Sequence, residues 1–87
     1  MLTIGNYIEN VKCESFKDFE TNRIRIRPLP NQGLSTNLVI ESLKIFRDEA
    51  KYPLGSTFIA KRIKVCQKEV GRIYLRADEQ ILEPYIK

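Results

Sequence analysis

The chain has 87 residues, of which 43% are hydrophobic and 30% charged, with a formal net charge of +4. This length predicts one domain over residues 1–87, and the balance of hydrophobic and charged residues excludes an intrinsically disordered chain. The longest apolar runs, such as residues 38–40, are far shorter than the roughly 20 residues of a membrane-spanning helix. The first residues show no signal peptide, so we expect a cytoplasmic protein without a membrane partner.

Residues 7–13 are predicted to form the first strand, with Tyr7, Val11 and Cys13 on one side. Strand residues that are two apart lie on the same face, whereas neighbours face opposite sides. A helix remains the alternative, because the apolar residues of this segment also match helical spacing.

The next segment is predicted to turn and then form a second strand. Residues 15–22 are interpreted as a turn that returns Phe16 and Phe19 to the core. Arginine and isoleucine then alternate over residues 23–27. Period-two alternation is typical of a half-buried strand, here with the isoleucines inward and the arginines outward. Pro28 is expected to end the strand because proline donates no hydrogen bond to a sheet.

The main helix is predicted over residues 36–50. Val39, Leu43, Phe46 and Ala50 recur at the spacing that places them on one helical face. The hydroxyl side chains that precede them are favourable N-caps. An amphipathic helix of this length is expected to pack its apolar stripe on a sheet.

The last third of the chain is predicted to form two more strands, residues 57–66 and 72–76, joined by a turn at Gly71. A change in the phase of the apolar residues predicts a bulge or twist near residues 61–62. Residues 78–82 fit one helical turn. The fold class is therefore predicted as α+β: a two-layer β-β-α-β-β domain with one main helix on a small antiparallel sheet, plus a short C-terminal helical turn.

Residues that bind metals or catalyse reactions are scarce in this sequence. Histidine is absent, which excludes Ser-His-Asp and Cys-His catalysis and most metal sites. Cys13 and Cys66 are interpreted as buried reduced thiols, with a disulfide or redox pair as the alternative. We therefore predict no catalytic residue, no metal, no cofactor and no enzymatic activity.

Positive charge is concentrated in the middle of the chain. Residues 23–76 contain twelve basic and four acidic residues, whereas the segments on either side are acidic. Eight side chains at outward strand positions are predicted to form one basic sheet face: Arg23, Arg25, Arg27, Arg62, Lys64, Arg72, Tyr74 and Arg76. Arginine binds phosphate through two N–H groups and tyrosine stacks on a base, so this face is predicted to bind RNA or DNA.

Two alternatives to nucleic-acid binding remain at this stage. Outward strand positions are polar in most sheets, and edge-strand cations prevent unwanted strand pairing, so the face is also explained as ordinary solvated surface. The second alternative is a protein-interaction or homodimer module. Its contact patch is predicted to consist of Tyr52, Leu54, Phe58, Ile81, Leu82, Tyr85 and Ile86.

Overall fold

The computed structural model describes residues 2–85, which form strands and two short 3-10 turns. The strands are β1 (Tyr7–Asp18), β2 (Arg23–Pro28), β3 (Ile40–Glu41), β4 (Thr57–Gln67), β5 (Ile73–Ala77) and β6 (Glu83–Pro84). The 3-10 turns are Lys44–Arg47 and Asp78–Gln80. Within the described range, no helix is long and apolar enough to cross a membrane.

The strands form one sheet that closes on itself. Their order is β1-β2-β3-β5-β4-β6, and an additional pairing of β1 with β4 joins the two sides of the sheet. Strands β1 to β5 therefore enclose a barrel, with β6 paired to the beginning of β4. The β3–β5 pairing is parallel, and the other pairings are antiparallel.

Alternating apolar side chains fill the interior of the barrel. The predicted Arg-Ile strand is confirmed as β2, in which Ile26 is fully buried and the neighbouring arginines point outward. The strand prediction for residues 7–13 is also confirmed, but β1 continues to Asp18 where a turn was expected. The predicted strands 57–66 and 72–76 correspond to β4 and β5 with small shifts at their ends.

The predicted irregularity near residues 61–62 is confirmed and involves two strands. Lys61 and Arg62 are consecutive and both exposed, so the inward phase of β4 changes between them. The paired strand β1 changes phase at the same level, where Asn10 has a φ of 55°. Asparagine tolerates this left-handed conformation better than most residues. Because of the phase change, Tyr7 lies outside the barrel and not on the inward side with Val11.

The predicted α+β architecture, with a main helix over residues 36–50, is wrong. The segment contains β3 and the 3-10 turn Lys44–Arg47, and residues 2–85 contain only 3-10 turns as helical structure. Of the predicted apolar stripe, Phe46 is buried, whereas Leu43 and Ala50 are exposed. The domain is therefore mostly β.

Closure of the barrel explains why this segment is not helical. Ile40 is fully buried and pairs with Ile26 on β2 and with Leu75 on β5, so it bridges the two halves of the sheet. The backbone N–H of Leu75 also donates to the carbonyl of Val39, at 2.8 Å. Val39 and Ile40 are β-branched and suit an extended backbone. Long-range pairing here prevails over a local helical pattern.

The C-terminal segment forms a 3-10 turn at Asp78–Gln80 where residues 78–82 were predicted as a helical turn. Glu79 and Gln80 have φ angles of 53° and 58°, which bend the chain away from helical geometry. The bend places Leu82 in the core and leads the chain into β6, which pairs with β4.

The two cysteines are both free thiols, so the structure contains no disulfide between them. Cys13 is fully buried inside the barrel, with its Sγ 3.6 Å from the carbonyl oxygen of Phe58. Burial raises the pKa of the Cys13 thiol to about 12. Cys66 is half-buried on the outer face, so the prediction of a buried thiol is confirmed for Cys13 and wrong for Cys66.

The raised pKa of Cys13 predicts a loss of stability at alkaline pH. In the unfolded chain the thiol ionises near its ordinary pKa of 9.0, whereas in the fold it keeps its proton to about pH 12. Between these values the unfolded state binds fewer protons, so the free energy of unfolding falls as the pH rises. The fall is at most about 1.4 kcal/mol per pH unit.

Chemical denaturation between pH 8 and 11 measures this slope. Cys13→Ala should give a shallower slope than the wild type, because the two proteins differ only in this thiol. Equal slopes would show that burial of Cys13 does not disfavour its thiolate.

Candidate nucleic-acid interface

A groove of about 760 Å³ crosses the outer surface of the barrel between two hairpins. One wall is the β1–β2 hairpin, the other is the β4–β5 hairpin, and residues 36–39 with β3 lie between them. The side chains that line it are Phe16, Asp18, Glu20, Arg25, Arg27, Thr36, Asn37, Leu38, Val39, Glu41, Lys68, Arg72, Ile73 and Tyr74, with Gly71. Cations, carboxylates and two aromatic rings therefore share one concave surface.

The strand registers explain why these side chains converge. Phe16 is paired with Arg25, and Glu14 with Arg27, at outward positions of the β1–β2 hairpin. On the opposite wall, β5 presents Tyr74 outward, paired with Cys66 of β4. Because β3 is only two residues long, it contributes a narrow floor between β2 and β5.

The structure brings half of the predicted basic face into this groove. Arg25, Arg27, Arg72 and Tyr74 line it. Arg23 is exposed at the start of β2, opposite Asp18, and is not part of the lining.

The other three predicted residues do not line the groove. The guanidinium carbon of Arg62 is 3.8 Å from the centre of the Tyr7 ring, and the Lys64 ammonium is 6.0 Å from it. Arg76 is paired with Lys64 and lines a smaller depression beside Tyr7. The predicted face is therefore divided, because closure into a barrel curves its strands away from each other.

Ion pairs position Arg25 and Arg27, the two β2 arginines that line the groove. The Nε of Arg25 is 3.1 Å from a carboxylate oxygen of Asp18, and the Nε of Arg27 is 2.9 Å from one of Glu14. The guanidinium of Arg27 also lies 4.4 Å from the centre of the Phe16 ring. Both ion pairs use Nε, and each guanidinium carries four further N–H donors on its Nη atoms. An arginine held in this way can still donate two parallel hydrogen bonds to a phosphate.

Tyr74 provides an aromatic surface on the opposite wall. Its side chain is half-buried, and the Lys68 ammonium lies 5.4 Å from the centre of its ring. Removal of water from the phenol raises the pKa of Tyr74; Cys66 and Glu41 act in the same direction, whereas Arg76 lowers it. Tyr74 is therefore a neutral ring with a cation beside it, which suits stacking on a base.

Two aromatic residues were placed wrongly by sequence reasoning. Phe16 and Phe19 were expected to return to the core. Phe16 is half-buried on the outer face of β1, beneath Arg27, and Phe19 is 87% exposed in the β1–β2 turn. The sequence does contain an indication that Phe19 is exposed. Phe19 lies in a polar turn between Asp18 and Glu20, where an apolar side chain is difficult to bury.

A second exposed apolar residue occupies the tip of the other hairpin. Val70 is 89% exposed in the β4–β5 turn, and its neighbour Gly71 lines the groove. Phe19 and Val70 are the most exposed large hydrophobic side chains in the part of the chain that the structure describes. Lys68 in the same hairpin also lines the groove but was not predicted as a binding residue, because it lies outside the predicted strands.

The predicted dimer patch is not assembled as one exposed surface. Phe58 and Leu82 are in the core, whereas Leu54 and Ile81 are exposed. Ile86 lies outside the described residues.

Residues 2–85 contain no group of three His, Cys, Asp or Glu side chains that could hold a metal ion. Comparison of the chain with protein-family models, with curated proteins and with solved structures finds no match.

Proposed function

We propose that this chain is a small non-enzymatic module that binds single-stranded nucleic acid in the groove between its two hairpins. One observation carries the proposal: the groove has arginines and half-buried aromatic rings on its walls, and the two hairpin turns beside it expose Phe19 and Val70. Contact of these two side chains with a ligand removes apolar surface from water, which is favourable. The free thiols suit the reducing cytoplasm that we propose as its location.

The chemistry of the groove favours an unpaired strand over a duplex. Arg25, Arg27 and Arg72 are placed to contact phosphates, while Tyr74 and Phe16 offer ring faces. Stacking of a base on an aromatic side chain contributes about 1–3 kcal/mol, and it requires a base that is free of its complementary strand. A duplex presents only its phosphates and base edges, so it leaves the rings without a partner.

The architecture supports the same proposal by analogy. A five-stranded barrel with a short β3, and with its groove between the β1–β2 and β4–β5 loops, resembles the OB-fold. OB-fold barrels bind oligonucleotides and oligosaccharides on the β2–β3 face, between those two loops. Because one fold supports many functions, the residues in the groove are the stronger argument. Three groove arginines favour a polyanion over a neutral sugar.

Fluorescence anisotropy tests the proposal with labelled single-stranded DNA, single-stranded RNA and duplex DNA of one sequence. We expect saturable binding of the single strands that weakens as salt rises from 50 to 200 mM, because each phosphate contact releases counterions. The duplex should bind more weakly at both salt concentrations. Absence of binding at low salt, or equal affinity for the duplex, would contradict the proposal.

A further inference from the structure

Glu41 is a carboxylate at the floor of the groove. It is half-buried on β3, where the register places Arg76 beside it on β5. Ile40 pairs with Ile26 in the antiparallel β2–β3 bridge, so Arg25 is the neighbour on the other side. Nevertheless, Glu41 makes neither an ion pair nor a side-chain hydrogen bond with any residue from 2 to 85. Arg25 is paired with Asp18 instead.

A free carboxylate at this position opposes the binding of phosphate. It accepts hydrogen bonds and donates none, and it repels anions. If the groove bound phosphate alone, a neutral residue at position 41 would serve it better. The carboxylate therefore suits a different part of the ligand, one that carries N–H donors.

The bases of a single strand carry such donors, and Tyr74 places them near Glu41. Tyr74 and Arg76 are two residues apart on the outward face of β5, and Arg76 is the register neighbour of Glu41. Side chains that are diagonal across neighbouring strands remain within reach of each other. A base stacked on Tyr74 is then close to Glu41.

We propose that Glu41 makes the groove selective for bases that present N–H donors on their Watson–Crick edge, with guanine preferred; this inference rests on the proposed function. Guanine offers N1–H and the 2-amino group side by side, which match the two oxygens of a carboxylate. Cytosine and adenine offer one amino group. Thymine and uracil offer a single imino N–H between two carbonyl oxygens, which repel a carboxylate.

Three labelled oligonucleotides of one length test the inference. The first contains thymine only, the second has isolated guanines at spaced positions, and the third has hypoxanthine at those positions. Hypoxanthine differs from guanine only by the loss of the 2-amino group. The wild type should bind the guanine oligonucleotide about tenfold more tightly than the thymine one, as expected for one bidentate contact with a base. The hypoxanthine oligonucleotide should fall between them.

Variants at position 41 separate base recognition from simple repulsion. Glu41→Leu should bind all three oligonucleotides with similar affinity, and Glu41→Gln, which keeps the shape of the side chain, should reduce the preference. Glu69→Leu is the matched control, because Glu69 is exposed in the β4–β5 turn and outside the lining of the groove. It should keep the full preference.

Three results would overturn the inference. A wild type that binds all three oligonucleotides equally would refute base selection while leaving the proposed function intact. A uniform gain of affinity in Glu41→Leu, with the guanine preference preserved, would show that Glu41 only repels the strand. Failure of the wild type to bind any of the three at low salt would refute the proposed function itself, and the inference with it.

Discussion

Replacement of Arg72 by glutamate is expected to weaken the binding of single-stranded nucleic acid by about tenfold, the effect of losing a phosphate contact and adding a like charge. Arg72 is exposed at the base of the β4–β5 hairpin and lines the groove. No residue among 2–85 forms an ion pair with it, so the substitution leaves no carboxylate unpaired. The slope of log affinity against log salt should also become shallower by about 0.7.

Arg62→Glu is the matched control for this experiment. Arg62 is also an exposed arginine, and its substitution produces the same change in net charge, but it lies over Tyr7 and outside the groove. Salt screens an exposed charge that makes no direct contact with the ligand, so its effect should be smaller than that of Arg72→Glu. Anisotropy titrations of both variants at 50 and 150 mM salt give the comparison. Equal losses of affinity would show that binding follows net charge and not the groove.

The strands were predictable from sequence because the alternation of apolar and polar residues that indicates them lies within each segment. Alternation of arginine and isoleucine places Ile26 inside and its neighbours outside without knowledge of any partner strand. The phase change at Lys61 and Arg62 was visible for the same reason. Two outward arginines of the groove, Arg25 and Arg27, followed directly from that alternation.

The error over residues 36–50 has a long-range cause. Apolar residues at helical spacing predict a helix when its apolar face can pack on a neighbouring surface. Here the segment instead closes the gap between β2 and β5, because Ile40 pairs with both strands as a strand residue. Phe46 is then buried from a 3-10 turn, whereas Leu43 and Ala50 face solvent. No local pattern reveals that gap, because it exists only once the barrel has closed.

The groove itself depends on the same closure. The alternation of inward and outward positions along each strand assigns a side chain to the outer surface, but it does not show which outward side chains of different strands lie close together. Arg62 and Arg72 have the same predicted role, yet closure places one beside Tyr7 and the other in the groove. The sequence analysis did not include Phe19 or Glu41 among the candidate binding residues, because only the fold shows where they lie. Phe19 is at the tip of a hairpin that forms one wall of the groove, and Glu41 is on the groove floor.

Replacement of Phe58 by alanine is expected to lower the free energy of unfolding by about 3–5 kcal/mol, the usual cost of deleting a buried phenyl ring. Phe58 is fully buried on β4 and contacts two other rings edge to face. Its centroid is 5.7 Å from that of Phe46 and 5.1 Å from that of Tyr52. The melting temperature should fall by roughly 12 °C or more, since a domain of this size loses about 4–8 °C per kcal/mol.

Phe19→Ala makes the same chemical change at an exposed site and is therefore the control. Because Phe19 is 87% exposed, its removal should change the free energy of unfolding by less than about 0.5 kcal/mol. If Phe19 stacks on a base, the same variant should bind a single strand about tenfold more weakly, since a stacking contact contributes about 1–3 kcal/mol. Urea denaturation and anisotropy on the two variants measure both quantities. A loss below 1 kcal/mol in Phe58→Ala would contradict the packing of the 3-10 segment on the barrel. Unchanged affinity in Phe19→Ala would remove the hairpin tip from the proposed interface.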